Sequence, residues 1–447
     1  MKICVAGAGA GKTTAMAQKL ANACNSLGPQ KNIYCLSFTN AAVNHIKEKL
    51  LEYYAEVPPN IMVCTLHSFL YQEIIKPYYF LLYGKQYERV SPINLPVEVA
   101  YKNKKIKELE DRNIIHVSII PQRAKWVIAK KSSDKKREKA VRMTILNAFS
   151  RYCGKIFIDE AQDIDDHILE IIEVFDAAGI SIELVGDPKQ DLRGYGSFQK
   201  LIEMHKTDVS FISTCHRCPS KHLIISNTLV SSAEKQISQK TTGSIRVIFE
   251  SNLNIQEFLS RNNFDLTYIS SKNDRFETHS KESASIEFET LNHEVSEIVL
   301  EKNSYAHRTL IKSFSYCLSK KMTKDYAVGK NPTEIIKNYF GNGLSKKQYA
   351  KVISALQKPN KISENLPTVD SIDGIKGQEG YNCLFILTTD LAPYLFGQKS
   401  AKNKTRNKLY VALTRSLDAL TILVTLEVEQ QYGAQYIRDY FTNLLME

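Results

Sequence analysis

No run of apolar residues in the 447-residue chain is long enough to cross a bilayer. The N-terminus already reads as a core strand, so neither a membrane anchor nor a signal peptide is expected. Internal repeats and low-complexity stretches are also missing. A structural zinc site is not expected, because Cys215-x-x-Cys218 has no second CxxC and no spaced histidine pair to reach four ligands. No Ser-His-Asp arrangement can be read. No acidic cluster suited to a nuclease metal pair stands out either. The nine cysteines are scattered, several of them inside apolar runs where a reduced thiol acts as a small hydrophobe. That usage fits a reducing cytoplasm and a chain without a membrane partner.

What remains is an ordinary globular composition, 43% hydrophobic and 24% charged, long enough for two or three domains. Fifty-nine basic against 48 acidic residues leave a net charge of +11, which suits a polyanionic partner. The most informative stretch is the first, MKICVAGAGAGKTT. Ile3–Val5 reads as a buried strand and Ala15–Leu20 as a helix. Between them lie Ala6, Gly7, Ala8, Gly9, Ala10, Gly11, Lys12, Thr13 and Thr14. Small residues between a strand and a helix opened by Lys-Thr let successive N–H groups face an anion, with the helix dipole adding attraction. Lys12 is suited to triphosphate oxygens and the Thr13 hydroxyl to Mg²⁺. The strict pattern has glycine at position 6, where alanine is still small.

Further strands are expected at Asn32–Phe38, Ile61–Thr65, Lys155–Ile158, Ile182–Val185 and Phe211–Thr214. Thr39-Asn40 is placed to cap a helix from Ala41 to about Glu52. Alternation of strands and helices predicts an α/β fold with parallel sheets and ligands at the strands' carboxyl ends. From about Lys76 to Ser150 the pattern turns basic and mainly helical, which fits either a solvated face or a DNA-backbone contact. A polar linker near Thr241–Arg246 precedes a second sheet. Its strands are expected at Ile245–Phe249, Leu266–Ile269, Cys383–Thr388 and Leu420–Thr425, with a helix over Leu409–Ser416. The stretch 277–367 again looks helical and basic, with a break at Gly341-Asn342-Gly343.

Asp159-Glu160, at the end of an apolar strand, supplies two carboxylates with separable duties: one for a Mg²⁺ shell, one to orient or deprotonate water. Gln190 follows another strand end, and Arg217 and Arg415 lie one in each half. Paired arginines across a cleft neutralise charge on a transferring phosphoryl group. Taken alone, either arginine reads more readily as a surface residue than as a catalytic one.

The order of motifs resembles the UvrD/Rep-type helicases of superfamily 1. The residues carrying the resemblance are AGAGAGKT (6–13), SFTNAA (37–42), TLHSF (65–69), IDEAQD (158–163), VGDPKQ (185–190), CHR (215–217), IKGQE (375–379) and YVALTR (410–415). It implies two RecA-like P-loop NTPase domains, with ATP between them and single-stranded or partly duplex DNA across them. By this resemblance residues 1–75 and 151–240 form the first domain and 76–150 a helical insertion. Residues 241–276 and 368–447 form the second, with 277–367 a reduced helical insertion. Lys12 and Thr13 are thereby assigned to phosphate and Mg²⁺ and Asp159 to the metal. Glu160 becomes the catalytic base, Gln190 the γ-phosphate sensor, and Arg217 and Arg415 the arginine fingers. Glu379 is assigned to the ribose and His216 to the adenine-stacking position. Phe38, Thr39, Asn40 and His67 line the DNA path, and Tyr195 stands where the family stacks a base on tryptophan. Core packing is the other reading of Phe38 and Tyr195.

Several departures matter. A glutamine-bearing segment that reads adenine in the family does not precede the loop, so hydrolysis of other nucleotides is an expectation. Cys215-His216-Arg217 replaces Asn-Tyr-Arg, and Asp373 replaces a histidine ahead of Lys-Gly. Both insertions are short. The expected activity is ATP-driven DNA translocation or unwinding, with the family's 3′-to-5′ polarity. The alternative is a DNA-sensing ATPase that gates a partner. Compact chains of this build resemble the helicase-like subunits of antiphage systems such as Gabija, where the partner is an OLD-family nuclease.

Overall fold

The computed structural model describes residues 1–27, 29–96, 98–271, 275–279, 281–302, 308–341, 343–357 and 367–446. Of the stretches singled out above, residue 97 in 76–150, 272–274 in 241–276, and 280, 303–307, Asn342 and 358–366 in 277–367 lie outside the described residues. The chain divides into two compact units. One comprises Met1–Gln86, Ile120–Thr278 and Leu366–Glu447, and the other Tyr87–Ile119 and His279–Asn365.

The first unit contains two six-stranded sheets, each with helices against it. In the first sheet the strands run in the order Ile61–Thr65, Asn32–Ser37, Cys153–Ile158, Ser181–Gly186, Lys2–Ala6 and Val209–Ile212, all parallel. The N-terminal strand is central: Cys4 pairs with Val185 on one side and Ser210 on the other. A strand buried on both faces needs a continuous apolar run, and KICVA has all but its first residue buried. Helix Lys12–Leu27 lays Met16, Ala17 and Leu20 on this sheet beside Ile33, Cys35 and Phe157. Thr39 caps the next helix, its hydroxyl accepting from the Ala42 amide at 3.2 Å. Leu20, Ile33, Cys35 and Phe157 have no solvent exposure, so the cysteine serves as a small core hydrophobe here.

The second sheet has the order Ser244–Phe249, Ser416–Val424, Gly380–Leu387, Leu266–Ile269, Thr368–Ser371 and Glu277–His279, parallel over the first five. Tyr268, Phe385, Ile422 and Leu413 fill its core. The helix near the C-terminal end of the chain spans Lys404–Leu413 rather than Leu409–Ser416. The basic residues before Leu409 are therefore helical, and Arg415 stands between helix and strand. Asn403 explains the earlier start: its side chain accepts from the Arg406 amide and caps the helix. The strand expected at Phe211–Thr214 is two pieces, Val209–Ile212 in the main sheet and Thr214–Pro219 paired with Ile237–Lys240. Arg217 accordingly lies within a strand.

In the second unit, helices Lys281–Lys302, Arg308–Ala327, Pro332–Phe340 and Lys346–Leu356 share a core of Val295, Met322, Ile335 and Val352. Tyr87–Ile119 adds a helix, Val99–Glu110, and two short parallel strands. The unit thus draws on parts of both basic helical stretches seen in the sequence. Glu297, 12% exposed, receives Arg89 at 2.9 Å and also Arg112, joining the two chain segments. Residues 120–150 belong instead to the first unit, where helices Ile120–Ile128 and Lys136–Tyr152 pack. Arg142 there donates to the Trp126 carbonyl at 2.8 Å and pairs with Asp134 at 2.8 Å. Among the described residues no helix is long and apolar enough to cross a membrane.

Candidate functional site

The strand Lys2–Ala6 delivers its carboxyl end into the loop Ala6–Gly11, and helix Lys12–Leu27 departs from it. Gly9 and Gly11 adopt φ of +69° and +72°, where a side chain is strained. A Cβ on Gly9 would stand 2.3 Å from Cβ of Arg217, so the glycine also admits that strand. His216 donates its amide to the Gly9 carbonyl at 2.8 Å, and its ring lies next to Gly11. The Lys12 ammonium donates to the carbonyls of Ala6 and Gly7 at 3.3 and 3.2 Å, curling over the loop. Thr13 and Thr14 occupy the helix's first turn.

Asp159 follows Cys153–Ile158, almost fully buried. Glu160 takes the left-handed conformation, φ +54°, a strained posture for a non-glycine residue costing on the order of 1 kcal/mol. The Glu160 amide donates to Asp159 Oδ1 at 2.9 Å, and Gln162 donates its side-chain amide to the Glu160 carboxylate. Burial and the Glu160 charge push the Asp159 carboxyl well above the usual range. Burial also opposes charge on Glu160. Lys12, Lys376, Gln162 and Arg415 overcome that and hold it below its ordinary value. One carboxylate thus stays ionised among cations, and the other is poised to gain from a further positive charge.

The neighbouring strand end, Gly186, leads into Asp187. Gln162 accepts the Asp187 amide at 2.9 Å, tying the two acidic loops together. Fully buried Asp187 accepts from the Gln190 side-chain amide at 2.9 Å and pairs with Lys189 at 2.8 Å. Burial would raise its carboxyl, yet Lys189 and Lys12 hold it below the carboxylate range.

The second sheet brings its motifs to the same place. Arg217 donates to Glu379 at 2.6 Å, and Lys376 pairs with Asp163 at 2.5 Å. Arg415, 1% exposed, donates to the carbonyls of Val411 and Gln378 at 3.1 and 3.3 Å and to the Thr414 hydroxyl at 3.3 Å. All three acceptors are neutral, and burial together with Arg217 lowers the guanidinium to about 10. Asp373 pairs with Lys408 at 2.8 Å and reaches Lys404 at 3.5 Å. Of the sequence-derived residues, Lys12, Asp159, Glu160, Gln190, His216, Arg217, Glu379 and Arg415 therefore gather around one loop and two strand ends.

The residues assigned to nucleic acid lie at neighbouring strand ends. Phe38, half-buried, and Thr39 and Asn40, both exposed, follow Asn32–Ser37, and half-buried His67 follows Ile61–Thr65. Burial lowers the His67 imidazole, with Asp165 and Arg193 as its charged neighbours. Tyr195 is 42% exposed between Gly194 and Gly196, both at positive φ. The Asp191 carboxylate accepts the amides of Arg193, Gly194 and Gly196 at 3.1, 2.7 and 2.8 Å, so the loop holds its aromatic outward by construction.

Sequence reasoning missed Asp187, Lys189, Lys376 and Tyr410, although each stands inside a motif it quoted, and it missed Gln236, which carries no pattern at all. Mg²⁺ and a nucleoside triphosphate fit what is present. The glycine loop forms a cradle, Thr13 opens the helix, and Asp159 is a carboxyl that an added cation would ionise. Among the described residues no three metal-binding side chains form a cage. Mg²⁺ characteristically takes one or two protein ligands and completes its shell with phosphates and water.

Residues 1–195 match the family model described as an AAA domain. Gabija protein GajB of Bacillus cereus (strain VD045) is 30% identical over 194 residues, which is 42% of this chain and 36% of that protein. The match thus spans little more than a third of that relative's length. Among solved structures, the arterivirus nonstructural protein 10 (helicase) with DNA is 12% identical, with a TM-score of 0.36 over 94% of this chain and 60% of that one. The PRRSV helicase is 10% identical, with a TM-score of 0.35 over 94% and 52%. Likeness at that level adds nothing to the fold already described.

Proposed function

We propose that the chain, whose residues 1–195 match an AAA domain model, is an ATP-dependent DNA motor of the UvrD-like helicase kind, hydrolysing ATP between its two sheets and moving 3′ to 5′ along a single strand. The observation that carries this reading is the meeting of the two sheets at the phosphate loop. Buried Arg415 lies with Lys12 and Lys376 around Glu160, a carboxylate that these cations keep ionised, and Arg217 pairs with Glu379 beside the loop. In this reading Thr13 and Asp159 hold Mg²⁺, which when bound supplies charge neutralisation on the phosphates. Lys12 and the loop amides bind the phosphates. Glu160 orients and deprotonates the attacking water, and Gln190, held on Asp187, senses the terminal phosphate. Arg217 and Arg415 stabilise the charge that develops on transfer. His216 stacks on the base and Glu379 takes the ribose. Phe38, Thr39, Asn40, His67 and Tyr195 form the strand's path.

Single-stranded DNA should stimulate ATP hydrolysis severalfold, and Glu160→Gln should abolish hydrolysis while leaving nucleotide binding intact. Hydrolysis that ignores both DNA and the substitution refutes the mechanism. A second reading is favoured by the match to Gabija protein GajB: a DNA-sensing ATPase that controls a partner nuclease of the OLD family. Strand displacement from a duplex with a 3′ overhang separates the two readings. Displacement by the chain alone supports the motor. No displacement, with control of a co-purifying nuclease, supports the sensor.

A further inference from the structure

The residue that touches the phosphate loop most intimately belongs to none of the sequence motifs. Gln236, 4% exposed, lies against Gly7 so closely that a Cβ there would stand 2.3 Å from the glutamine's side-chain carbon. Its Nε2 donates to the Ala8 carbonyl at 3.0 Å. Its Oε1 accepts from the Tyr410 hydroxyl at 3.0 Å. That hydroxyl in turn accepts the Ala8 amide at 3.3 Å. Three hydrogen bonds close a ring through the N–H and C=O of one loop residue. Only one orientation of the glutamine amide satisfies both of its partners, which assigns it without ambiguity. Cys215 Sγ also donates to the Ala8 carbonyl, at 3.2 Å.

The far side of the ring is the part with consequences. Tyr410 lies on helix Lys404–Leu413, two residues beyond which stands Arg415. Its ring face carries the Lys189 ammonium at 5.3 Å, and Lys189 pairs with Asp187, the partner of Gln190. The Ala8 peptide, the helix leading to Arg415 and the Asp187–Gln190 turn are therefore held through one buried tyrosine. Because these groups have left water, each bond is worth its full desolvated value if broken on one side only.

We propose that Gln236 is a positioning residue. It fixes the Ala8 peptide for nucleotide binding and, through Tyr410, sets the loop in register with the helix leading to Arg415. The role in turnover rests on the ATPase reading above, whereas the role in binding does not.

The test uses the pH behaviour of Gln236→Glu. A protonated glutamic acid reproduces both bonds, donating to the Ala8 carbonyl and accepting from Tyr410. Its carboxylate cannot donate and repels that carbonyl. Burial keeps the protonated form accessible near neutrality. Relative to the parent, the affinity of Gln236→Glu for ADP–Mg²⁺ and its kcat/KM for ATP should both rise roughly tenfold as pH falls from 8.5 to 6, about the worth of one buried hydrogen bond. Tyr410, Cys215 and Lys189, which pairs with Asp187 at 2.8 Å and with Glu234 at 3.3 Å, are present in both proteins, so their own titration enters both sides of the ratio. Gln236→Met, which keeps the shape and loses both bonds, should show a loss that does not vary with pH. A flat ratio for Gln236→Glu, or parent-like behaviour of Gln236→Met, overturns the proposal. Should both variants fail to fold by circular dichroism, Tyr410→Phe decides. Removal of that single hydroxyl should weaken ADP binding about tenfold, and unchanged binding overturns the proposal. A parent that binds ADP and hydrolyses nothing refutes the ATPase reading alone, because the ADP titration still reports on Gln236.

Discussion

Replacing Arg415 by methionine should leave stability within about 2 kcal/mol of the parent while removing the proposed ATPase activity. Methionine roughly preserves the volume and removes the charge. The guanidinium is fully buried and bonded to neutral acceptors, and its displacement from the ordinary arginine value down to about 10 reflects what the folded state loses by keeping it charged. Two to three pK steps correspond to roughly 3 kcal/mol. This cost is present throughout the working pH range, because folded and unfolded chains are both protonated below about 10. Above about 10, and up to the ordinary arginine value, the unfolded chain binds more protons, so stability rises with pH only in that alkaline window. Against the relief stand the bonds to Val411, Gln378 and Thr414. Their acceptors then go unmatched at about 1 kcal/mol each. The two sides nearly cancel, so a denaturant midpoint within about 2 kcal/mol of the parent is expected. Turnover should fall by about 10³ or more, the usual worth of an arginine acting on a transferring phosphoryl group. Urea melts with and without ADP–Mg²⁺, alongside steady-state ATPase, make the comparison. A loss above about 4 kcal/mol with turnover intact would show Arg415 to be structural, and the expectation that its burial cost offsets its bonds would be wrong.

Gly9→Ala combines a +69° φ with a 2.3 Å clash against Arg217. It should therefore destabilise by about 1–3 kcal/mol and abolish nucleotide-induced stabilisation in a thermal melt. Asp187 is held below the carboxylate range and Lys189 above the usual lysine value, so their pair contributes fully from about pH 4 to about pH 10. Its contribution fades as pH falls through the depressed Asp187 value, and Asp187→Asn should flatten the acid limb of the stability curve measured by urea melts. Glu297→Gln leaves Arg89 and Arg112 without their shared carboxylate and should cost about 1–3 kcal/mol in the second unit, read as faster amide exchange in helix Lys281–Lys302. Tyr195→Ala removes the outward-held ring and should weaken single-stranded DNA binding about tenfold in fluorescence anisotropy, with unstimulated ATPase unchanged.

The two parallel sheets were legible because each central strand is buried on both faces and so must be apolar end to end. KICVA, NIYCLS and CLFIL cannot easily be anything else. The phosphate loop was legible for a similar reason, since its positive-φ turns demand glycine at 9 and 11. The limits were set by contacts that leave no periodicity. Arg217, beyond the strand expected at Phe211–Thr214, is itself part of a strand, because its pairing partner, Ile237–Lys240, lies some twenty residues on. The helix ahead of Arg415 was placed too late because its cap, Asn403, sits in a basic run that reads as a loop.

Local rules of burial and turn chemistry therefore determine, from the chain alone, which segments are strands, where the anion loop lies and which carboxylates stand at strand ends. The tertiary structure alone decides the company those residues keep. It pairs Arg217 with Glu379 and Lys376 with Asp163 across two sheets, and gathers parts of two distant basic stretches into a second unit around Glu297. It closes a ring on Ala8 with Gln236, a residue whose only sign is the space that Gly7 leaves for it. Hydrogen bonds and ion pairs between segments far apart in sequence depend on three-dimensional distance. A single sequence records such pairings only where sterics force a particular residue.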